Sequence, residues 1–258
     1  MSRYVDIHCH ILPGLDDGAA SMQDSVDMAR MAQADGTSDI VATPHANFQF
    51  SYDPPKIAAL RVELQAAIGP APQILVGCDF HLSYENVRDA LDQPRKYAIN
   101  GTQYQLVEFA ESFNIEAMEA VLSQLLQAGM IPVLTHPERN PVFQQHGQLA
   151  NRYVELGCVV QITSGSLLGE FGKLALRAST DLLDRDLAHV IASDAHSTKW
   201  RTPCLSAAAA AAEERRTAAI AKALVADNPA AIIAGQRLPF FPEPRNTRKK
   251  SVLSFLRG

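Results

Sequence analysis

His8-Cys9-His10 stands near the start of a 258-residue chain. Residues i and i+2 of a strand share one face, so two imidazoles spaced this way can reach a single metal ion. Alone, the pair suits a surface or core histidine equally well, so what matters is what else converges on it. Ligand-type residues recur where later β-rich runs end: His45 in Thr43-Pro44-His45, then Asp79, Glu108, His136 in Thr135-His136-Pro137, and Asp194 and His196 in Asp194-Ala195-His196. Asp17 follows the first pair closely, with Asp16 as its neighbour. In parallel α/β folds the strand C-termini converge on one face, and sites are built there. Residues nearly the whole chain apart would then meet in one pocket. This inventory exceeds what one ion can use and suits two or three, because each ion takes about four to six ligands and carboxylates can bridge. No cysteine is needed as a ligand. The nitrogen and oxygen donors therefore favour Mn²⁺, Fe²⁺ or Zn²⁺ over a Cys-rich structural zinc. Clustered cations call for an anionic oxygen substrate, and phosphate is the obvious one. Arg139 and Arg201 lie on loops leaving the same face, and a guanidinium fork binds phosphate oxygens in pairs. Either arginine is also compatible with a solvated surface position.

The elements that position these residues are legible as an alternation of short apolar runs and longer helical patterns, the order of parallel βα units. Strands are expected at Tyr4–His8, Asp39–Thr43, Ile74–Cys78, Tyr104–Glu108, Ile131–Thr135, Cys158–Ile162 and Val190–Ala192. Their near-continuous hydrophobicity suits strands buried on both faces. Ser21 can cap a helix that Gly36 stops, and Pro54-Pro55 can open one that Gly69-Pro70 closes. Further helices are expected at Tyr84–Leu91, Ile115–Gln127, Leu149–Leu156 and Leu174–Leu183, and across the alanine run from Ala207. Seven strands with intervening helices fit a closed or distorted barrel, with a doubly wound sheet as the alternative. No glycine-rich nucleotide-binding motif accompanies the pattern. After Gly235 the composition turns to prolines, a basic stretch and a small apolar end. Residues 1–235 thus read as one catalytic domain and residues 236–258 as a Pro-containing basic tail, either a loosely held terminus or a docking segment.

Hydrophobic residues make up 47% of the chain, and its formal charge of −5 gives no broad basic footprint for nucleic acid. No run of about 18 apolar residues suggests stable membrane insertion. The residues MSRYVDIHCH carry no apolar signal segment, so the expected location is cytoplasmic. Cys9, Cys78, Cys158 and Cys204 form no CxxC pair and are expected to be reduced. None is followed by arginine six positions later, which sets cysteine-dependent phosphatase chemistry aside. Cys9 should point away from the face that His8 and His10 share.

In their order, DIHCHILPGLDDGA, TPH, VEF, THPER and SDAH resemble the PHP (polymerase and histidinol phosphatase) superfamily. Within it they are most similar to the bacterial manganese-dependent protein-tyrosine phosphatases of capsule and exopolysaccharide biosynthesis. The resemblance implies a distorted (β/α)7 barrel of TIM-barrel-like form. It implies one ion held by His8, His10, Asp79 and Asp194, a second by Asp79, Glu108 and His136, and a third by Asp17, His45 and His196. Arg139 and Arg201 match positions tied to phosphate binding, and Asp16 becomes a supporting partner. The implied reaction is phosphotyrosine hydrolysis by a metal-bridged hydroxide. The implied substrate is a phosphotyrosine protein, such as a membrane-associated tyrosine autokinase controlling polysaccharide synthesis. Asp79 departs from the glutamate usual at its position. Asp27-Met28-Ala29-Arg30 only loosely follows a pattern linked to homo-oligomers. A small-molecule phosphomonoesterase, such as a histidinol-phosphate phosphatase, and a weakly active docking subunit are the alternatives.

Overall fold

β-Branched and aliphatic residues dominate the short runs, and every run expected as a strand contains one in a computed structural model of the protein, which describes residues 3–244. β1 (Tyr4–Cys9) leads through α1 (Met22–Asp35) to β2 (Thr37–Ala42) and the two-residue β3 (His45–Ala46). α2 (Pro54–Ile68) precedes β4 (Gln73–Val76) and β5 (Asp79–His81), followed by α3 (Tyr84–Asp92) and β6 (Tyr104–Glu108). Next come α4 (Ile115–Gln127), β7 (Ile131–Thr135), α5 (Pro141–Gln145), α6 (Leu149–Leu156) and β8 (Val159–Thr163). The chain continues through α7 (Ser164–Leu167), α8 (Gly172–Asp184), β9 (Val190–Ala192), α9 (Ser206–Arg215), α10 (Ala218–Lys222) and α11 (Asn228–Ile233). The Ser21 side chain accepts from Asp24 N and caps α1, which Gly36 closes at φ 104°. Asp53 caps α2 ahead of its two prolines.

All paired strands are parallel, in a sheet β1-β2-β4 and a sheet β3-β5-β6-β7-β8-β9. The sheets meet along two seams. At the first, β2 resumes as β3 after Thr43-Pro44, and β4 resumes as β5 after Gly77-Cys78. Gly77 N donates to Ala42 O at 2.9 Å and Asp79 N to Pro44 O at 3.2 Å across it. At the second, Cys9 bridges to Ala195, just past β9, while His10 N donates to Ala195 O and Asp194 N to His8 O, both at 2.8 Å. Strand order thus follows chain order in a TIM-barrel-like α/β fold, without the order reversal of a doubly wound sheet.

The expected single strand Ile74–Cys78 ending at Asp79 needs correction, because it splits and Asp79 begins the second piece. The chains pack closely at the break: a Cβ on Gly77 would sit 3.0 Å from Val41 Cγ1. The stretch Ala218–Ile233, with a π-helical turn at Ala223–Asp227, was not anticipated. Its alanine-rich sequence carries little amphipathic contrast. It nevertheless buries Leu224, Val225 and Ile232, and Asn228 Nδ2 donates to the carbonyls of His189 and Phe240.

One apolar cluster takes residues from each of the seven strand paths: Val5 and Ile7, Val41, Leu75, Leu106, Val133, Val159, and Val190. It fills the space inside the strands, and two further clusters seal the strands' outer faces against the helices. Burying each such large side chain contributes about 1.5–3 kcal/mol. β1 needs a special device to serve both this core and the site. Asp6 pairs with Ile40 and Cys9 with Ala42, so three steps on β1 oppose two on β2, which is a bulge. Ile7 and His8 can then both face inward, while Cys9 packs outward with α1 and α2 residues. Of the tail, Phe241 stacks on His189 at 4.3 Å between ring centroids. The basic stretch from Arg245 onward lies outside the described residues. No described helix is long and apolar enough to cross a membrane.

Candidate metal centre

His8 and His10 leave β1 with their Nε2 atoms 3.2 Å apart. Each Nδ1 faces an oxygen that can only accept: His8 meets Gln161 Oε1 at 2.9 Å and His10 meets Asp16 Oδ2 at 2.7 Å. His196 Nδ1 likewise faces its near neighbour's carbonyl, Asp194 O, at 2.9 Å. A proton on each Nδ1 leaves each Nε2 lone pair free, the arrangement by which second-layer partners orient histidine ligands. Asp16 also receives Gly18 N and His45 N at 3.0 Å each, so one carboxylate ties the loop after β1 to His10 and β3. The same loop needs Gly18 itself, since a Cβ there would fall 2.1 Å from His10 O.

The carboxylates close around these imidazoles. Asp79 is fully buried, 3.6 Å from His8 Nε2 and 3.2 Å from His45 Nδ1. Asp194 Oδ1 lies 3.3 Å from His8 Nε2 and 3.5 Å from His10 Nε2. Asp17 Oδ1 stands 3.4 Å from Nε2 of both His45 and His196, and Glu108 Oε1 is 3.8 Å from His136 Nε2. Ligand atoms lie within 4.8 Å of one another in four sets: His10/Asp17/His45/His196, His8/His136/Asp194, His8/His10/Asp79 and His45/Asp79/Glu108. Between them the sets contain all nine residues singled out from the sequence. They overlap with, but do not reproduce, the three-ion grouping implied by resemblance: His10 also joins the Asp17 set, and His136 groups with His8 and Asp194.

The chemistry of the donors fits divalent cations. Both Asp79 oxygens, Asp194 Oδ1, His45 Nδ1 and His196 Nε2 are buried without a hydrogen-bond partner, a costly condition unless a cation compensates. Burial opposes charge on His8, but Asp194 and Asp79 outweigh it and hold its pKa up at about 9. Burial likewise opposes charge on His45, yet Asp17 and Asp79 raise it to about 11. Burial and the Arg139 charge push His136 down to about 3. Despite their own burial, Asp79 is held well below the usual carboxylate range by His8 and His45, and Asp194 by His8, His10 and Arg201.

These directions set a pH dependence. Raised histidine pKa values give metal-stripped protein stability that is complete below the ordinary 6.5 and is lost as pH rises through about 9 and about 11. A divalent ion needs the same imidazoles neutral, so loading at pH 7 releases protons, and affinity grows with pH. Thermal melts of chelated protein should fall between pH 7 and 10, and those of loaded protein should fall less. Calorimetric titration in two buffers of different ionisation enthalpy should show proton release. Buffer-independent heats would refute this account.

Arg139 and Arg201 both reach Asp194 Oδ2, Arg139 at 2.5 Å. Their guanidiniums therefore stand at the edge of the cluster, roughly a quarter or less exposed. His136 (φ 35°), Asp194 (φ 52°) and Arg201 (φ 54°) all occupy the left-handed region. That conformation costs a non-glycine residue on the order of 1–3 kcal/mol and persists where surrounding structure enforces it. Three residues here escaped sequence reasoning. Gln161, which holds His8, sits inward in the apolar run VVQIT, and a polar residue at an inward position was the available signal. His81, two residues after Asp79, brings Nδ1 to 3.8 Å from Glu108 Oε2. Phe171 lies under the arginines, and nothing local in the sequence marks it.

Parallel strands whose C-terminal ends gather histidines, carboxylates and two arginines define a TIM-barrel-like protein of the PHP type, with a site able to bind metal ions. The family model for capsular polysaccharide synthesis proteins CpsB/CapC matches residues 4–234, and the chain belongs to that family. It is similar to the tyrosine-protein phosphatase YwqE of Bacillus subtilis (strain 168), at 38% identity over 201 residues, covering 76% of this chain and 79% of the relative. A chain from the crystal structures of YwqE from Bacillus subtilis and CpsB from Streptococcus pneumoniae, described as unique metal-dependent tyrosine phosphatases, superposes with a TM-score of 0.86. That match has 33% identity and covers 93% of this chain and 98% of the other. The phosphotriesterase homology protein from Escherichia coli, at 10% identity and a TM-score of 0.60 over 90% of this chain and 99% of its own, shares the fold alone.

Proposed function

We propose that this protein is a metal-dependent protein-tyrosine phosphatase serving capsular or exopolysaccharide synthesis. The observation that carries the reading is one carboxylate, Asp194, which turns one oxygen to His8 and His10 and the other to Arg139 and Arg201. A cation cluster and a phosphate fork therefore share a single edge. Family membership adds the pathway, and the relatives' names add phosphotyrosine.

His8, His10, Asp79 and Asp194 hold one ion in this reading, Asp79, Glu108 and His136 a second, and Asp17, His45 and His196 a third. Mn²⁺ suits the nitrogen and oxygen donors, with Fe²⁺ or Zn²⁺ as the other fits. Bound divalent ions supply Lewis acidity toward phosphoryl oxygens and lower the pKa of water. The chain's own residues do the rest. Arg139 and Arg201 take phosphoryl oxygens on their forks and stabilise charge as it shifts to them in the transition state. Gln161 and Asp16 keep the His8 and His10 rings oriented. The tyrosyl leaving group, a phenol of pKa about 10, needs less protonation than an alkyl alcohol. The partner in this reading is a membrane-associated tyrosine autokinase met in the cytoplasm, where the four free cysteines stay reduced.

The test is hydrolysis of a phosphotyrosyl peptide by protein stripped with chelator and refilled with Mn²⁺, beside histidinol phosphate as the small-molecule control. Activity on the peptide should vanish on stripping and return on refilling, with two to three equivalents of metal bound. Faster turnover of histidinol phosphate than of the peptide would sink the reading.

A further inference from the structure

Trp200, the chain's one tryptophan, stands 58% exposed on the loop after β9. The loop holding it is tightly tied. Ser197 Oγ accepts from Trp200 N at 3.0 Å and donates to Trp200 O at 2.7 Å, and His196 N donates to Arg201 O at 2.9 Å. Arg201 Nε in turn donates to Asp194 O at 3.0 Å. The turn thus holds an exposed indole in place, with an apolar face and an N–H available to a ligand. Trp200 meets the Phe171 ring edge-on, with centroids 5.9 Å apart. Phe171 carries Arg139 Cζ at 4.3 Å above its ring and Arg201 Cζ at 6.0 Å. Gly165 lets Phe171 approach its backbone closely, since a Cβ there would fall 2.9 Å from Phe171 Cε2. Phenyl ring and guanidinium pair thus pack together, with the exposed indole beside them.

We propose that Trp200 is a specificity-determining residue for aryl phosphomonoesters. Its indole packs against the aromatic ring of a substrate whose phosphate is held by Arg139 and Arg201, and Phe171 is the positioning residue for that pair. The proposal rests on the phosphatase reading above and adds what selects the ester's organic half. In this assignment the ester substituent of a phosphate held by the two guanidiniums runs toward the indole that shares Phe171 with them. There an alkyl chain would gain little from the indole face, while a phenyl ring gains an aromatic pair.

The experiment uses metal-loaded wild-type, Trp200→Ala, Trp200→Phe and Phe171→Leu proteins, titrated with phenylphosphonate, methylphosphonate and inorganic phosphate. Calorimetry reads affinity, and Trp200 emission reports directly in the wild type. Phenylphosphonate should bind about threefold to tenfold tighter than methylphosphonate and alter the emission more. That preference should vanish in Trp200→Ala and survive in Trp200→Phe, with phosphate affinity held in both. Phe171→Leu should weaken all three ligands together and leave most of the preference. An unchanged preference in Trp200→Ala, or a parallel loss of phosphate affinity there, overturns the assignment of Trp200. If wild-type protein binds none of the three ligands and spares phosphotyrosyl peptide, the phosphatase reading itself fails.

Discussion

Arg139→Ala should lower kcat/KM on a phosphotyrosyl peptide by a factor on the order of 10²–10³, the usual cost of removing one preorganised donor to developing charge. Two features place the effect at that level. Arg139 is held from two sides, by Asp194 Oδ2 at 2.5 Å and by the Phe171 ring at 4.3 Å, so its fork needs little reorganisation to engage a phosphoryl group. It is also only 26% exposed, which limits screening by water. Most of the loss should appear in kcat, because charge on the phosphoryl oxygens shifts during the reaction. Arg139→Lys should recover only part of it, since an ammonium keeps the charge but neither the fork nor the flat stacking surface. Metal content should stay at the wild-type level, because Arg201 still neutralises Asp194. A variant that loses metal along with activity would show that Arg139 assembles the site instead of acting on substrate.

Asp79→Asn should be more damaging still, with activity reduced on the order of 10³ or more, since several kcal/mol of transition-state stabilisation come from a metal centre. Asp79 joins two of the four ligand sets, one with His8 and His10 and one with His45 and Glu108. Asparagine keeps the volume in a fully buried position but offers one neutral oxygen where two anionic ones stood. Metal analysis should find at least one equivalent fewer than in wild type. The stripped variant should also lose part of the acid-side stability of the stripped wild type, because His8 and His45 no longer face this carboxylate. Full metal occupancy with wild-type rates would remove Asp79 from the centre.

Much of the scaffold was legible because its signals are local. Apolar runs of strand length marked all seven strand paths, and Ser21, Gly36 and the Pro54-Pro55 pair marked helix ends. Most of the nine ligand-type residues were legible because they fall at or just past the ends of the expected strands, although His45 and Asp79 begin short strands of their own and Asp17 lies deeper in the loop after β1. Long-range events left no such trace. The break between β4 and β5 falls at Gly77, which packs against Val41 of a strand that meets it only in the folded chain. Gln161 supports a histidine 153 residues away, and Phe171 reaches the arginines from a connection between helices. The division of ligands among ions was also out of reach, since His10 and His45 each stand within range of two sets.

The seam between β1 and the segment after β9 has a consequence for how the protein is made. His8 and His10 emerge early in synthesis, but Asp194 and the carbonyl that receives His10 N belong to residues added nearly 190 positions later. A ribosome adding roughly 5–20 residues each second would hold the N-terminal histidines uncommitted for about ten seconds or longer. An unfinished chain therefore owns the first ligands without the last strand that shapes them. The sets that include Asp194 or His196, and the edge where Arg139 and Arg201 meet Asp194, can form only once the C-terminal third is made, so a chain truncated before them would lack that edge of the site.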